Sequence, residues 1–199
     1  MQSKRVLILD AASRLISERG YSQTSVDDVI KASGLCGKSH FYHYYKSKES
    51  LGYAILDKEL ERLTERGLAI LRETQIDALE RLGLFIDTLV VSQAERGCKG
   101  GSCLGMLAAE LADSHEGFRQ RIDEVFQGWE THIESLLEEA RPVLRADVDT
   151  QRLARFVIAT LEGAVLMSRV KRDVVVLQGI AADLKRFIEM HAETSRAHR

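Results

Sequence analysis

The sequence predicts an all-α protein of about nine helices, in which a small N-terminal head precedes a larger helical body. A single proline, Pro142, occurs in 199 residues, whereas a chain of this length ordinarily contains about ten. Because proline interrupts helices and is common in the turns of sheet proteins, its scarcity favours helices. Hydrophobic residues make up 45% of the chain and charged residues 29%, which is typical of globular proteins and excludes a disordered one.

Charge is unevenly distributed along the chain. Residues 1–48 contain eight Lys or Arg and four Asp or Glu (net +4), and residues 49–199 contain twenty and twenty-six (net −6). A basic segment on an acidic body is typical of a nucleic-acid-binding head. No apolar run approaches the roughly 20 residues that span a bilayer, and the N-terminus lacks the features of a signal peptide. Three cysteines then indicate free thiols, so we expect a cytoplasmic protein without a membrane partner.

The N-terminal region has the pattern of a helix-turn-helix. A supporting helix over 4–19 ends at Gly20, Thr24 or Ser25 caps a second helix, and a third segment covers 38–45. The third segment mixes hydrogen-bond donors with aromatic rings, as does a helix that enters the DNA major groove. On the pattern alone, a surface turn with aromatic packing explains this segment equally well.

Several short segments carry a more specific signal. They are Ile8-Leu9-Asp10-Ala11-Ala12, Glu18-Arg19-Gly20-Tyr21, Thr24-Ser25-Val26, Ala32-Ser33-Gly34 and the run from Phe41 to Leu51. In order and spacing they resemble the DNA-binding domain of the TetR family of bacterial repressors. The family usually has one residue fewer between Gly34 and Tyr42, so Cys36-Gly37 indicates a one-residue insertion in the turn.

The resemblance implies a DNA-binding domain over 1–47 and an effector-binding and dimerisation domain over 48–199. It implies a homodimer that binds double-stranded operator DNA and a small-molecule effector. The segment 38–45 is expected to enter the major groove, and hydroxyls and a lysine beside it are expected to contact phosphates. The predicted DNA-binding residues are Thr24, Ser25, Lys38, Ser39, His40, Tyr42, His43 and Lys48.

The rest of the chain has the periodicity of long amphipathic helices. We predict helices over 48–72, 76–95, 104–112, 116–140, 150–171 and 174–191. A glycine-rich connector over 97–103 is predicted to be non-helical, and the polar tail from Ala192 is expected to fray.

The last two helices carry apolar stripes with small residues between them. The stripes are Phe156, Val157, Leu161, Ala164 and Met167 in one helix, and Val176, Leu177, Ile180, Ala181, Leu184, Phe187 and Ile188 in the other. By pattern alone, both stripes are explained by closure of the protomer's own core. The TetR resemblance implies instead that they form a four-helix dimer interface.

An effector pocket is expected inside the body. Its predicted lining combines apolar bulk with few polar groups, and consists of Phe85, Leu89, Met106, Trp129, His132 and Met167. A solid core explains each of these residues singly, and His132 in particular is more often a core histidine than a ligand.

Two cysteines flank the glycine-rich connector. Cys103 begins a predicted helix, whose N-terminal amides favour a thiolate. Residues 102–111 are similar to a TetR subgroup that responds to electrophiles and acrylate. In one member the cysteine matching Cys103 is a redox sensor, whose lysine partner aligns near Arg169. The resemblance therefore implies, as an alternative, release of DNA by modification of Cys103, with Cys98 able to resolve it as a disulfide. A small, inert and buried side chain is the competing interpretation.

Enzymatic and metal-binding functions have little support. No nucleophile elbow, P-loop or dinucleotide fingerprint is present. A thiol enzyme using Cys103 and His132 is the alternative of another class, but it lacks a third, orienting group. Cys98, Cys103 and His115 fit no standard zinc spacing. We therefore predict a repressor with no catalytic residue, no metal and no cofactor.

Overall fold

The computed structural model describes residues 3–71 and 75–192, with side chains for 3–61 and 75–192. In these residues helices follow one another without a β-strand, which confirms the all-α prediction. A 3₁₀ turn at Arg141–Val143 contains Pro142. The α-helices are α1 (Lys4–Arg19), α2 (Val26–Ala32), α3 (Lys38–Tyr44), α4 (Lys48–Leu71), α5 (Ala78–Glu95), α6 (Cys103–Leu111), α7 (Glu116–Glu139), α8 (Thr150–Lys171) and α9 (Val174–Glu189).

Most helix ends lie where local chemistry predicts them. Ser25 caps α2 in a reciprocal capping box with Asp28. Asp149 accepts a hydrogen bond from the Arg152 amide at the start of α8, and Asp173 caps α9 in the same way. The connector before α6 is non-helical over 97–102, as predicted, whereas Cys103 already belongs to α6. No helix in the described part of the chain is both long and apolar enough to cross a membrane.

The chain forms two compact units. The first unit contains Met1–Arg62 and Lys99–Phe126, and the second contains Leu63–Cys98 and Gln127–Arg199. The predicted boundary after residue 47 therefore does not coincide with the division between compact units. The reason is that the first half of α4, the whole of α6 and the first half of α7 pack with the head.

Aromatic packing holds α4 and α7 within the first unit. Phe118 of α7 is 1% exposed and stacks on Tyr53 of α4, with ring centroids 4.4 Å apart. Its edge also meets Tyr21 after α1, at 5.8 Å. A side chain at Gly52 would place its Cβ 2.8 Å from Phe118, so the close approach of α4 to α7 requires glycine there.

The second unit is built from α5, α8, α9 and the second half of α7. The α9 helix packs on both α8 and α5. Lys185 of α9 contacts Asp87 of α5 at 2.7 Å, and the buried Arg81 of α5 is paired with Glu139 of α7. These pairs connect α5 to α9 and α7 within this unit.

The apolar stripes of α8 and α9 divide between the inside and the outside of the second unit. The residues that close the unit's own core are Val157, Leu161, Ala164, Leu177, Ala181, Leu184 and Ile188. Assigning these residues to a dimer interface is therefore incorrect. Three other members of the predicted stripes, Phe156, Met167 and Phe187, are exposed.

Two predictions fall outside the described residues. The predicted helix over 48–72 ends at a residue that is not described, and its side chains from residue 62 onward are not described either. The predicted frayed tail lies beyond residue 192.

Candidate nucleic-acid interface

The α3 helix has one buried and one exposed face. Phe41 is fully buried, and Tyr45, at the C-terminal end, is 4% exposed. The Tyr45 hydroxyl donates to the Arg5 carbonyl at 3.3 Å, which attaches the end of α3 to the start of α1. The outward residues are Lys38, Ser39, Tyr42, His43 and Tyr44. Four of the five residues predicted on this segment therefore lie on the surface.

His40 is the exception on α3. Its side chain is half-buried, and Nδ1 is buried without a hydrogen-bond partner among the described residues. Because its side chain is half-buried, His40 lies at the margin of the head's core and not on the outward face of α3.

The turn between α2 and α3, for which the sequence predicts an additional residue, contains a glycine with a positive φ. Gly37 directly precedes α3 with φ +142, a conformation that L side chains rarely adopt. A Cβ at this position would meet no atom within 4 Å, so backbone conformation and not space requires glycine. Cys36 beside it is exposed.

The lysines and arginines of the head differ in their partners. Lys38 lies 3.1 Å from Asp27, and Arg19 lies 2.8 Å from Asp28. By contrast, Lys4, Lys31 and Lys46 are exposed and have no ion pair among the described side chains. These three lysines are not among the predicted DNA-binding residues, although all lie in the basic first quarter. They are the cations most available to phosphates.

Lys48 is held within the first unit. Its Nζ lies 4.2 Å from the centre of the Tyr21 ring, a cation–π distance. Burial lowers the pKa of Lys48, opposed by the charge of Glu110. Burial, with smaller contributions from Glu49 and Tyr53, raises the pKa of Tyr21 to about 12. The position of Lys48 therefore depends on the turn that carries Tyr21.

The predicted hydroxyl contacts are engaged inside the protein. Thr24 is 1% exposed, and its hydroxyl donates to the Gly20 carbonyl at 2.7 Å. The Ser25 hydroxyl donates to Asp28 at 2.6 Å and accepts from the Asp28 amide. A phosphate would have to displace these bonds beside a carboxylate, so the two hydroxyls are not supported as phosphate ligands.

The residues predicted to line an effector pocket lie in different environments. Phe85, Leu89, Trp129 and His132 are half-buried in the second unit. Nδ1 of His132 donates to the Gly128 carbonyl at 2.7 Å, within its own helix. Met167 is 48% exposed on the outer side of α8, so its prediction as a pocket residue is not supported.

Met106 belongs to the first unit. Its terminal carbon lies 3.4 Å from the position that a Cβ would take at Gly20. Met106 therefore packs against the turn after α1, whereas the sequence predicted it in the lining of the effector pocket.

None of the three cysteines forms a disulfide, and they differ in exposure. Cys36 is exposed, Cys98 is 2% exposed with φ +54, and Cys103 is half-buried. Cys103 is the first residue of α6, where the Ser102 hydroxyl accepts from the Gly105 amide at 3.1 Å. In the described part of the chain, no three His, Cys, Asp or Glu side chains gather as a metal site requires.

Comparison with known families matches both parts of the chain. Residues 8–55 match the model of bacterial regulatory proteins of the tetR family, and residues 78–184 match the tetracyclin repressor-like C-terminal domain. The chain belongs to the TetR family. This confirms the resemblance seen in the sequence, and it makes the protein a DNA-binding transcriptional regulator.

Relatives within the TetR family include proteins with assigned roles. The transcriptional regulator AcuR of Cereibacter sphaeroides is 28% identical over 169 residues, covering 82% of this chain and 75% of AcuR. The transcriptional repressor NemR of Escherichia coli is 24% identical over 183 residues, covering 91% and 92%.

Solved structures show the same fold. The regulatory protein TetR from Rhodobacter sphaeroides superposes with a TM-score of 0.85 at 25% identity, covering 94% of this chain and 98% of that one. The reduced form of E. coli NemR gives 0.80 at 22% identity, covering 97% and 100%, and this likeness concerns the fold alone.

Proposed function

We propose that this TetR-family regulator is a homodimeric repressor whose two heads bind operator DNA, acting in the cytoplasm where that DNA is. The observation that carries this proposal is α3, which anchors Phe41 in the core while turning Lys38, Ser39, Tyr42 and His43 outward. Donors and aromatic rings on the outer face of a short helix suit hydrogen bonds to base edges and phosphates in the major groove.

The outer faces of α8 and α9 support homodimerisation. Exposed apolar residues recur on and directly after these two helices, at Phe156, Leu166, Met167, Val170, Val175, Phe187 and Met190. A Cβ at Gly163 or Gly179 would meet nothing within 4 Å. A second copy of the same face would cover these residues and make a four-helix interface with two-fold symmetry. We call the seven exposed apolar residues from Phe156 to Met190 the outer face.

Two heads joined in this way bind two half-sites about 34 Å apart. An effector that changes the spacing of the heads lowers operator affinity, because only one spacing matches the DNA. We propose a small apolar or electrophilic effector held in the body, with Phe85, Leu89, Trp129 and His132 in its site.

Binding to DNA from beside the protein's own gene tests the proposal. Fluorescence anisotropy with a labelled fragment of the flanking intergenic region is expected to show saturable binding that unlabelled random DNA of equal length does not displace at equal concentration. Affinity for the flanking fragment no greater than for random DNA would contradict the proposed repressor.

A lysine on the head provides the first quantitative prediction. Lys46→Ala is expected to reduce by about one the slope of the logarithm of operator affinity against the logarithm of salt concentration, because one phosphate contact releases about one counterion. Lys58→Ala is the control, since Lys58 is already paired with Asp10 at 2.5 Å, and its slope should equal that of the wild type. Equal slopes for the Lys46 variant and the wild type would exclude Lys46 from the interface.

A second candidate function is electrophile sensing through Cys103. The observation that favours it is the position of Cys103. This half-buried residue is the first of the nine residues of α6 and directly follows Ser102, which caps the helix. Amides at a helix N-terminus stabilise a thiolate and so favour its modification. Added bulk at this position would displace the start of α6.

Cysteine variants test this function. N-ethylmaleimide is expected to release wild-type protein from the operator and to leave Cys103→Ser bound. Cys36→Ser is the matched control: it removes the exposed thiol of the head and keeps Cys103, so N-ethylmaleimide should still release this variant from the operator. Mass spectrometry of the trapped adducts assigns the modified thiol. Equal release of wild type and Cys103→Ser would show that Cys103 is not the sensor.

A further inference from the structure

A carboxylate from α6 caps the turn that connects α1 to α2. Glu110 Oε1 accepts a hydrogen bond from the Tyr21 amide at 2.7 Å, and Oε2 accepts one from the Ser22 amide at 2.7 Å. Both oxygens of one side chain are therefore bound by consecutive backbone amides almost 90 positions away in the chain. Charge-assisted bonds of this kind are shorter and stronger than neutral ones.

The turn has a shape that only glycine permits at this point. Gly20 has φ +92, and a Cβ there would lie 2.1 Å from Oε1 of Glu110. Any side chain at residue 20 would thus collide with the carboxylate. The turn and the carboxylate fit each other, which is a second observation beside the two hydrogen bonds.

The electrostatics of the site favour the charged carboxylate. Burial by itself would raise the pKa of Glu110, but hydrogen bonds from Ser22 and Tyr21 and the charge of Lys48 outweigh it, and the pKa lies below its ordinary value of 4.5. Lys48 in turn rests on the Tyr21 ring. Glu110, the turn and Lys48 therefore form one connected group, which we call the turn clamp.

The same helix is attached to the head at its other end. The Gly101 amide, just before α6, donates to the Ser17 carbonyl in the last turn of α1 at 2.8 Å. A Cβ at Gly100 would approach the Ser17 carbonyl oxygen to 3.2 Å. The connector and α6 thus hold the C-terminal end of α1 and the following turn together.

Along α6, Cys103, Met106 and Glu110 lie about one helical turn apart and share one face. Met106 packs near Gly20, and Glu110 binds the amides after it. A displacement of α6 along or around its axis would therefore move both contacts with the turn at once.

We propose that Glu110 is a positioning residue through which α6 sets the orientation of the α1–α2 turn, and thereby the operator affinity of the head. The inference rests on the proposed operator binding. When α6 moves, the carboxylate has to leave two amides, and the turn that carries Tyr21 loses its external support. Lys48 loses its place at the same time, because it rests on that ring. Operator binding and the position of α6 are then coupled, as two linked sites are.

Amide hydrogen exchange measures how well the turn clamp protects the two amides that Glu110 binds. In the wild type, the Tyr21 and Ser22 amides are expected to exchange slowly although they lie in a turn. In Glu110→Ala both should exchange at least about tenfold faster, while amides inside α1 keep their rates. Unchanged rates at Tyr21 and Ser22 would overturn the inference.

The positioning role is tested by measuring operator affinity at a temperature well below the melting temperature, where every variant is folded. Glu110→Ala is expected to weaken operator binding by about 5- to 150-fold, the range of typical couplings. Glu110→Gln keeps one acceptor oxygen, so it should lie between Glu110→Ala and the wild type. Affinity for random DNA should change less, because non-specific binding depends on phosphate contacts and so tolerates changes in the orientation of the head. A residue that only stabilises the fold would lower the melting temperature and leave this ratio of affinities unchanged.

Glu116→Ala is the matched control, because this carboxylate of the first unit is exposed and bonded within α7 to Arg119 and Gln120. Gly20→Ala completes a double-mutant cycle. Gly20→Ala should weaken operator binding much more in the wild-type background than in Glu110→Ala, because only the wild type has the carboxylate with which the new Cβ collides. The backbone strain at residue 20 is the same in both backgrounds. Additive effects would overturn the inference. If the wild type fails to bind the fragment, the proposed function fails; if the wild type binds and the Glu110 variants match it, only this inference fails.

Discussion

Replacing Leu166 by glutamate is expected to convert the dimer into a monomer and to weaken operator binding by about 100-fold or more. Leu166 is 56% exposed in the protomer and lies on the outer face beside Met167 and Val170. In the proposed dimer its side chain would be covered by the partner, and a charge buried there without a counterion is strongly unfavourable. Loss of the second head also removes the gain from simultaneous binding of two half-sites, about 10² to 10⁴ in affinity.

Analytical ultracentrifugation measures the oligomeric state, and circular dichroism establishes that the variant is folded. Leu84→Glu is the matched control: Leu84 is also an exposed leucine of the second unit, at 43%, but it lies on α5. This variant should remain a dimer with wild-type operator affinity. A folded, dimeric Leu166→Glu protein would place the interface elsewhere.

The choice of residue follows from burial. Leu184 is 2% exposed within the protomer, so a glutamate there would disrupt the core of the second unit whether or not a dimer forms. Only a residue on the outer face separates dimerisation from folding.

Replacing Tyr42 by alanine is expected to weaken operator binding by about 5- to 150-fold, the effect of losing one good base contact. Tyr42 is 51% exposed on the outward face of α3, next to His43. Its ring meets Phe41 edge-on at 5.3 Å, which keeps the side chain in place without burying it. Because the ring is half in solvent, the variant should remain folded.

Anisotropy titrations with operator and random fragments measure this effect. Random-sequence affinity should change little, because it depends on phosphates and not on base edges. Tyr42→Phe separates the hydroxyl from the ring: a variant as weak as Tyr42→Ala would assign the effect to the hydroxyl. Wild-type operator affinity for Tyr42→Ala would remove this face of α3 from the recognition surface.

Helix boundaries were largely predictable because caps and glycines act locally. The predicted helix over 4–19 has the same bounds as α1, and Asp149 and Asp173 directly precede α8 and α9 as expected. A cap requires a side chain within three positions of the amide that it binds, so a short stretch of sequence contains all the information needed. The helix period places Phe41 and Tyr45 on one face, but the prediction for 38–45 did not separate buried from outward residues, and it included the half-buried His40.

Local sequence does not contain the information needed to predict the surroundings of residues such as Thr24 and Met106. Thr24 seemed available to phosphate, but the fold buries it and directs its hydroxyl to Gly20. Met106 seemed a pocket residue, but it packs against the turn after α1. The Met106 contact depends on where α6 lies relative to the turn after α1 within the first unit, and no periodicity specifies that. The Thr24 hydroxyl bonds only four residues back along the chain, but the burial of its side chain depends on the packing of the head.

The sequence by itself determined that this protein is a helical TetR-family regulator with a helix-turn-helix head, because caps, helix period and motif spacing are properties of short segments. Tertiary structure alone decided which apolar residues of α8 and α9 are buried and which remain on the outer face, since both sides of these helices are apolar. It alone decided that Glu110 binds the amides of Tyr21 and Ser22. The physical reason is that burial and long-range hydrogen bonds depend on the packing of distant segments, and that packing is a property of the whole chain.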